Sequence, residues 1–395
     1  MRSWPLIALA VLASAPASAQ ALEPITNRNY AIDLYEGTAL GNITTIAMGG
    51  AAAANASGSS GTLINPSAAA VRSTTDRDSW SWDYHLDYLN GGLSADYDND
   101  GLGTGQRTSL SYATAGFALR VQNWAGAITG TIQSVPLSLD AANGSIPPTG
   151  QTLRFRAAVA KWFPKWDIAI GAGLQIAELD VRQGCDQFTC PALFSIDGVG
   201  LEAGAQWIPR LENFRLGAAL ATPIAGGNVT ASECNPLDCQ GYILPDQVVS
   251  AWRVTTGLAY RWAPSLWNQT TYTDFRDERA LTAVLDLVIV GPSANAYGLD
   301  AFGMNELERS GRHTSWSPRG GVEYEILPGR LRLRGGSYWE PGRFEGVGGR
   351  VHGTFGIEVR AFEFHAWGLR RGRLTLTGDV ADRYDNLGIS IGLWH

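Results

Sequence analysis

The sequence predicts an all-β fold: a 14-stranded antiparallel transmembrane β-barrel with an N-terminal hatch inside its lumen. From about Ser79 onward, apolar and polar residues alternate with period two, which is the periodicity of a strand with one apolar and one polar face. After residue 21, no apolar run is long enough to cross a membrane as a helix. The composition of 47 Gly, 14 Trp and 13 Tyr with only 17% charged residues is typical of membrane barrels with tight turns and aromatic girdles.

The N-terminal residues have the features of an export signal. Arg2 supplies a positive start, a short apolar run extends from Leu6 to Leu12, and the small residues around Ala19 and Ala21 provide cleavage sites. No cysteine follows these cleavage sites directly, so we do not expect a lipoprotein. The predicted domains are a signal peptide at 1–21, a hatch at 22–78 and a transmembrane barrel at 79–395.

The barrel strands are predicted from their alternating faces. In the first of them, Trp80, Trp82 and Tyr84 alternate with Ser81 and Asp83. In a membrane the apolar face contacts lipid and the polar face lines the lumen. The pattern predicts 14 strands, near 79–89, 107–118, 121–135, 151–163, 166–181, 193–208, 213–223, 247–262, 279–291, 319–327, 330–339, 350–364, 372–381 and 385–394.

The lengths of the connections predict the orientation. Short and long connections mostly alternate, as expected for short periplasmic turns and long extracellular loops of a bacterial outer-membrane protein. An even strand number then places both ends of the barrel in the periplasm. Tryptophans cluster beside the short connections, which predicts an aromatic girdle, although Trp also favours strands in general; they are Trp80, Trp82, Trp162, Trp166, Trp207, Trp262, Trp267 and Trp367. The connection 263–278 is too long for a periplasmic turn and leaves open a short helix or a missed strand.

The segment 22–78 does not follow the barrel pattern. It lacks period-two alternation and is rich in Ala, Gly, Ser and Asn around 47–61. It is too long for a leader remnant and too apolar for an exposed tail, so a hatch inside the barrel is favoured over a flexible periplasmic extension. No energy-coupling box is evident near the N-terminus, which favours passive diffusion.

Two motifs resemble the FadL family, the outer-membrane transporters of long-chain fatty acids and aromatic hydrocarbons. The run TIAMGGA at 45–51, followed by LINPSAA at 63–69, resembles the family's hatch. The run LRLRGGSYWEP at 331–341, after GVEY at 321–324, resembles its late strand pair. Family barrels have 14 strands, in agreement with the strand count above. The sequence departs from the family at Ser67, where Ala is usual, in a hatch stretch without an acidic residue, and in a C-terminus that lacks the terminal Phe common in outer-membrane barrels.

The resemblance implies passive uptake of hydrophobic small molecules such as long-chain fatty acids or hydrocarbons. It also implies capture at an extracellular groove, passage into an apolar pocket, and release when the hatch shifts. We expect a monomer without catalytic activity or cofactor, whose partners are the ligand, outer-membrane lipid and, during insertion, the barrel-assembly machinery. Two other functions stay open: a non-transport barrel with a structural, surface-anchoring or secretion-system assembly role, and an open general porin, which a hatch disfavours. A net charge of −7 without a long basic cluster disfavours nucleic-acid binding.

The hatch residues predicted to matter are Gly49, Gly50, Asn65 and Pro66. Pro66 fixes its own φ and biases Asn65 toward an extended conformation, and the Asn65 amide can bond nearby backbone. A turn that holds the hatch in register and a direct role in gating are both consistent with these residues.

Lumen-facing arginines are candidates for binding a carboxylate headgroup, because a planar guanidinium suits that group; they are Arg332, Arg334, Arg253 and Arg261, with Arg154 and Arg156. The competing interpretation is a network of ion pairs that fills the lumen, for which the sequence provides Asp286, Glu323, Glu325 and Glu358.

Four cysteines lie in two predicted loops, as Cys185 with Cys190 and Cys234 with Cys239. Exported cysteines are usually oxidised, and local pairing is preferred here over pairing between the loops.

The loop from Asp96 to Gly101 has the D-x-D-x-D-G opening of a calcium loop, but Arg107 stands where a bidentate Glu is expected. A solvated acidic turn is therefore favoured, and no metal site is predicted. The five histidines show no metal-ligand spacing, and His85 and His352 are expected to point inward.

Overall fold

The computed structural model describes residues 22–34, 41–71, 79–92, 96–101, 110–137, 147–184, 192–227, 229, 234–269 and 275–394. The predicted signal peptide lies outside these residues. Fourteen antiparallel strands close into a barrel, in which the last strand pairs with the first. The predicted fold class and strand number are therefore confirmed.

The barrel strands follow one another around the wall as neighbours. They are β3 (Trp80–Gly91), β4 (Ser111–Val121), β5 (Trp124–Pro136), β6 (Thr149–Phe163), β7 (Ile168–Arg182), β8 (Ala192–Trp207), β9 (Phe214–Ala221), β12 (Arg253–Trp262), β13 (Leu281–Val290), β16 (Ser315–Leu327), β17 (Leu331–Glu340), β18 (Arg350–His365), β19 (Leu369–Ala381) and β20 (Tyr384–Leu393). No helix among the described residues is long and apolar enough to cross a membrane.

The predicted alternation is visible in the side chains. In β3, Leu86 is 52% exposed on the outside of the barrel whereas the adjacent Asp87 is 5% exposed on the inside. The short-turn end of the barrel, where β3 begins and β20 ends, carries most of the predicted tryptophan girdle. Trp162 and Trp267 are exceptions: Trp162 faces inward beside Ala169, and Trp267 is buried against the Arg215 guanidinium, 4.0 Å from the ring centroid.

The opposite, long-loop end carries a second layer of small elements above the barrel mouth. They are β1 (Glu23–Pro24), β2 (Ala31–Asp33), β10 (Ile224–Ala225), β11 (Gln247–Ser250), β14 (Ala296–Tyr297), α3 (Leu299–Gly303) and β15 (Glu306–Leu307). β2 lies between β11 and β14 and pairs in parallel with both. The segment 22–34 therefore lies in this layer, which we call the cap, and the predicted hatch is divided between cap and lumen.

One predicted strand is corrected. The predicted strand 247–262 is two strands, because β11 leaves the wall to join the cap and only β12 belongs to the barrel. The connection 263–278 contains neither a helix nor a strand in its described parts, 263–269 and 275–278.

The segment 41–71 fills the lumen between the two ends and is called the hatch below. It contains α1 (Ile43–Ile46), α2 (Gly58–Gly61) and a 3₁₀ helix (Pro66–Ala70). Asn42 caps α1 by accepting the Thr45 backbone N–H at 2.9 Å, which is a typical helix start. These helices contact the inner faces of one continuous arc of the wall, which runs from β18 through β20 and β3 to β8.

Candidate hatch and lumen site

Gly49 and Gly50 make the sharp turn that follows α1. Their φ angles are +68° and +71°, a region that glycine adopts without steric cost. The Gly49 N–H donates to Thr354 Oγ1 at 3.0 Å, and a Cβ on Gly49 would lie 2.5 Å from the Gly320 carbonyl oxygen. The predicted pair is therefore a backbone contact between the hatch and the wall.

Asn65 and Pro66 join the hatch to two adjacent strands. Asn65 is extended, with φ −145° and ψ 112°, as predicted from the proline that follows. Its Nδ2 donates to the carbonyls of Ala53 at 3.0 Å and of Ala205 and Ala218 at 3.2 Å. Its Oδ1 accepts the Ser67 N–H at 3.1 Å. Both donor and acceptor of this fully buried amide are used, which holds the hatch in register against β8 and β9.

Two wall carboxylates also hold the hatch, and the sequence did not reveal this role. Asp286 Oδ2 accepts the backbone N–H groups of Ala52 and Ala53, both at 2.8 Å. Asp83 Oδ2 accepts the Ser59 N–H at 2.6 Å and its hydroxyl at 2.9 Å. The sequence suggested Asp286 only as a partner for arginine, whereas its Oδ2 satisfies hatch backbone N–H groups that would otherwise be buried without partners.

Lumen-facing glycines in the wall let the hatch backbone approach closely. A Cβ on Gly217 would overlap the Ala53 carbonyl, and one on Gly321 would overlap the Met48 carbonyl. The same holds for Gly171 and Gly204 against the Asn65–Pro66 turn. Their common signal in the sequence is a glycine at an inward position of the period-two pattern, where a polar side chain is the usual occupant.

Three of the four arginines predicted as ligand candidates form ion pairs with carboxylates of the wall or, for Arg261, of the connection that precedes β13. Arg334 lies 2.5 Å from Glu323 and 3.0 Å from Glu358. Arg332 Nε lies 3.1 Å from Glu325, and Arg261 lies 3.1 Å from Glu278. The competing interpretation, a network of ion pairs inside the lumen, describes this arrangement, and its Arg332 and Arg334 pairs join the neighbouring strands β16, β17 and β18. Arg253 is at the other end of β12, near the cap, so the structure does not bring it together with the other three.

The arginine network lines a cavity of about 280 Å³ between the hatch and the short-turn end. Its lining includes Asp83, Arg120, Arg261, Glu323, Arg332, Arg334, Glu358 and Arg373. The cavity is therefore polar and charged, and it is not the apolar pocket that the family resemblance implied.

Apolar lumen-facing side chains are concentrated at the other end, beneath the cap. Leu179 and Val181 of β7 and Ile196 of β8 point inward and are buried. They pack with cap residues, among them Ile32 and Phe302. Because lumen-facing positions of a barrel are usually polar, this apolar stretch of wall is the feature of the lumen that differs most from a water-filled channel.

One of the two predicted cysteine pairs lies beneath the cap. Cys234 and Cys239 form a disulfide with a Cα–Cα distance of 5.2 Å, and Cys239 is buried in the apolar cluster under the cap. This local pair is the predicted one. Cys185 and Cys190 lie outside the described residues.

The predicted solvated acidic turn is wrong. Asp96, Asp98 and Asp100 are all buried, with exposures of 1–5%, because the loop packs against other loops at the long-loop end. The reason was not visible in the sequence, since the covering residues are distant along the chain.

Both inward-facing histidines bond to neighbouring side chains. His352 Nε2 lies 2.9 Å from Glu340 and its Nδ1 2.9 Å from Asp379. His85 Nδ1 lies 2.9 Å from the Ser59 hydroxyl. That hydroxyl donates to Asp83, so the imidazole does not receive the serine proton as it would in a nucleophilic triad.

Comparisons with known proteins identify the fold. No protein-family model matches the chain, and no curated protein matches it. Among solved structures, the deltaS2 mutant of the monoaromatic hydrocarbon channel TodX aligns with TM-score 0.54 and 12% identity, covering 91% of this chain and 100% of that one. The monoaromatic hydrocarbon channel CymD aligns with TM-score 0.53 and 11% identity over 91% and 97% of the two chains. The toluene transporter TbuX of Ralstonia pickettii gives 0.50 and 13% over 90% and 98%. The resemblance predicted from the sequence is thus confirmed at the level of the fold, which this chain shares with the monoaromatic hydrocarbon channels.

Proposed function

We propose that this protein is a gated channel for passive entry of uncharged hydrophobic small molecules across the bacterial outer membrane. The observation that carries the proposal is the apolar lumen wall at the long-loop end, formed by Leu179, Val181 and Ile196. A water-filled porin has no need of such a wall, whereas a hydrophobic compound leaving water gains about 25 cal/mol for each Å² of apolar surface that it buries there. The fold is that of proteins described as hydrocarbon and toluene channels.

In this proposal the long-loop end is extracellular and residues 1–21 are removed on export. Ile32 of the cap strand β2 packs against the apolar wall. A ligand therefore enters by displacing cap side chains from this wall. Residues 41–71 then act as the gate, and Gly49, Gly50, Asn65 and Pro66 are the points at which the hatch is held. The chain acts as a monomer inserted by the barrel-assembly machinery.

An uncharged ligand fits the lumen better than a fatty acid does. Arg332 and Arg334 are engaged by three glutamates. A carboxylate ligand would have to displace one of these buried partners and leave its charge uncompensated, which is costly. An aromatic hydrocarbon needs no such exchange.

The alternative is a non-transport barrel with a structural or assembly role. It would keep the hatch, but its apolar wall would serve only to hold the cap in place. The two functions differ in whether a soluble hydrophobic compound competes with the cap for that wall.

Uptake of radiolabelled toluene and decanoate by cells that express the intact chain separates these functions. Val181→Thr places a hydroxyl in the apolar wall at nearly unchanged volume, and Val284→Thr makes the same change at a buried lumen-facing position beside the hatch. We expect toluene uptake to exceed decanoate uptake, and to fall at least fivefold in Val181→Thr but less than twofold in Val284→Thr.

Conductance in planar bilayers tests the gate. The intact chain is expected to stay closed to ions, and a chain without residues 41–71 is expected to conduct. Ion conduction by the intact chain, or equal toluene uptake by cells with and without the protein, would contradict the proposed function.

A further inference from the structure

One charged residue lies within the apolar part of the cap. Strand β2 is Ala31-Ile32-Asp33, and Tyr30, Ile32 and Leu34 on either side of the aspartate belong to the apolar cluster under the cap. Asp33 is itself buried, with an exposure of 6%. A carboxylate in such surroundings is costly unless a partner compensates its charge. The partners of Asp33 therefore show what holds β2 in place.

These partners come from two loops that are distant in the sequence. Arg343, between β17 and β18, places its Nη2 3.0 Å from Asp33 Oδ2, and both side chains are 3% exposed. The Ser310 hydroxyl, between β15 and β16, donates to the same oxygen at 2.8 Å. The two loops also contact each other, because the Gly311 N–H donates to the Arg343 carbonyl at 3.0 Å. Asp33 thus joins the N-terminal segment to both loops through one oxygen atom.

The barrel wall holds the residue that follows Asp33. The Leu34 carbonyl accepts from Arg154 Nη2 at 3.0 Å, and Arg154 lies on the inner face of β6. The Leu34 N–H donates to the Val249 carbonyl of β11 at 2.7 Å. Because β2 has only three residues, and hence few ladder bonds of its own, the contacts at its C-terminal end contribute much of its attachment.

A buried ion pair suits a contact that must both form and break. The desolvation of two buried charges offsets much of their attraction, so an intact pair adds little net stability. When β2 leaves the wall at the long-loop end, Asp33 and Arg343 can return to water together. Removing Asp33 alone is different, because Arg343 then lacks this carboxylate while the cap is closed. The pair therefore fixes where β2 lies without preventing its release.

We propose that Asp33 and Arg343 form the latch of the cap: the pair positions β2 over the apolar wall, and its opening limits how often a ligand reaches that wall. The inference rests on the proposed function, because it assigns the control of ligand entry to residues of the same site. Asp33 is a positioning residue here, since it acts through Ile32, the neighbouring side chain that packs against the wall.

Amide hydrogen exchange of the purified full chain in nanodiscs tests the latch without any ligand. The residues of β2 pair with β11 and β14, so exchange in 31–34 reports the release of β2. We expect this exchange to speed up at least tenfold in Asp33→Asn and in Arg343→Met. Arg343→Lys keeps a cation within reach of Asp33, and its exchange is expected to stay within threefold of the original chain.

Glu345→Gln is the matched control. Glu345 lies two residues from Arg343 and pairs with Arg312 at 2.8 Å, but both side chains of this pair are about half exposed. Exchange in 31–34 is expected to change less than twofold in this variant, and exchange in the barrel strand β4 should be unchanged in all of them. Unchanged exchange of 31–34 in Asp33→Asn, an equal rise in Glu345→Gln, or an equal rise in β4 would overturn the latch.

Toluene uptake tests whether the latch controls entry. Loss of a purely structural contact would lower uptake or leave it unchanged, whereas loss of a latch raises it. At equal surface amounts, the initial rate should rise at least threefold in Asp33→Asn and change little in Glu345→Gln. An unchanged or lower rate in Asp33→Asn, in cells where the original chain takes up toluene, would overturn the control of entry. Equal uptake with the original chain and without the protein would instead contradict the proposed function, whereas the exchange measurement would still report on the latch.

Discussion

The two ends of the lumen are built from opposite kinds of contact. At the short-turn end, Arg334, Glu323 and Glu358 form a buried ion-pair network beside a polar cavity. At the long-loop end, Leu179 and Val181 line the wall and pack against the cap. The hatch lies between the two and is held by hydrogen bonds to both wall carboxylates and backbone. This division suggests that the charged end maintains the barrel while the apolar end provides the proposed entrance.

The largest expected loss of stability comes from removing one partner of the buried ion pairs at the short-turn end. Arg334→Met removes the 2.5 Å partner of Glu323 and leaves that carboxylate with Arg332 at 4.0 Å. Breaking a buried pair from one side typically costs about 3–5 kcal/mol. Denaturant unfolding in lipid should show a loss of this size, whereas toluene uptake at a temperature where the variant is folded should change less than twofold.

The matched control for this variant is Arg312→Met. Arg312 pairs with Glu345 at 2.8 Å, but both side chains are about half exposed. Exposed pairs contribute about 0–1 kcal/mol, so the control should unfold near the original midpoint. A large loss of toluene uptake in the Arg334 variant would mean that the charged end also handles the ligand.

The next effect in size is expected at the Asp286 contact with the hatch. Asp286→Asn replaces a carboxylate that accepts two N–H groups, and bonds to a charged acceptor contribute about 1.5–3 kcal/mol. Because Asp286 Oδ2 bonds hatch backbone, most of this free energy should be lost from the binding of the hatch to the wall and not from the barrel itself. We expect brief conductance openings in planar bilayers that the original chain lacks.

Asp167→Asn is the comparison for that variant, because Asp167 pairs with Arg210 in an exposed turn at the short-turn end. It should leave the chain closed. Openings of equal frequency in both variants would show that Asp286 does not hold the gate.

The barrel could be predicted from the sequence because its signal is periodic and local. The alternation of apolar and polar residues located all 14 strands, because the lipid-facing and lumen-facing residues of each strand lie within its own short segment. The same local signal failed at 247–250, where alternating residues continue into β12 although β11 pairs with β2 in the cap. A hydrophobic period of two predicts that a segment is a strand, but it does not predict which strand lies next to it in the sheet.

The site was less predictable because it depends on contacts between distant residues. Asn65 and Pro66 were found through their local backbone preference. Gly217 was missed, because its importance comes from the Ala53 carbonyl that approaches it. The acidic loop 96–101 resembled a solvated turn because the chain that packs against it is distant in the sequence: the Gly348 carbonyl, which accepts the Asn99 side-chain N–H, lies 249 residues further along.

Wall glycines offer a sharper test of how tightly the hatch is fitted. Gly217→Ala places a methyl group where the Ala53 carbonyl lies, and overpacking typically costs about 1–3 kcal/mol. We expect the hatch to become sensitive to added protease and the channel to open intermittently. Gly130→Ala is the control, because the space around a Cβ at that lipid-facing position is open; a similar phenotype there would mean that the close fit is not the cause.

The smallest effect on barrel stability is expected at the disulfide near the apolar end. Cys234 and Cys239 are five residues apart and close a loop of the cap layer outside the barrel strands. Replacing both with Ser should therefore leave the global unfolding midpoint of the barrel nearly unchanged. Cys239 is buried with Leu193 and Phe194, so the change should instead loosen the packing under the cap, and amide hydrogen exchange in 242–248 should speed up at least fivefold. Unchanged exchange in that segment, or a fall in the global midpoint as large as that of Arg334→Met, would show that the two ends of the lumen are not stabilised separately.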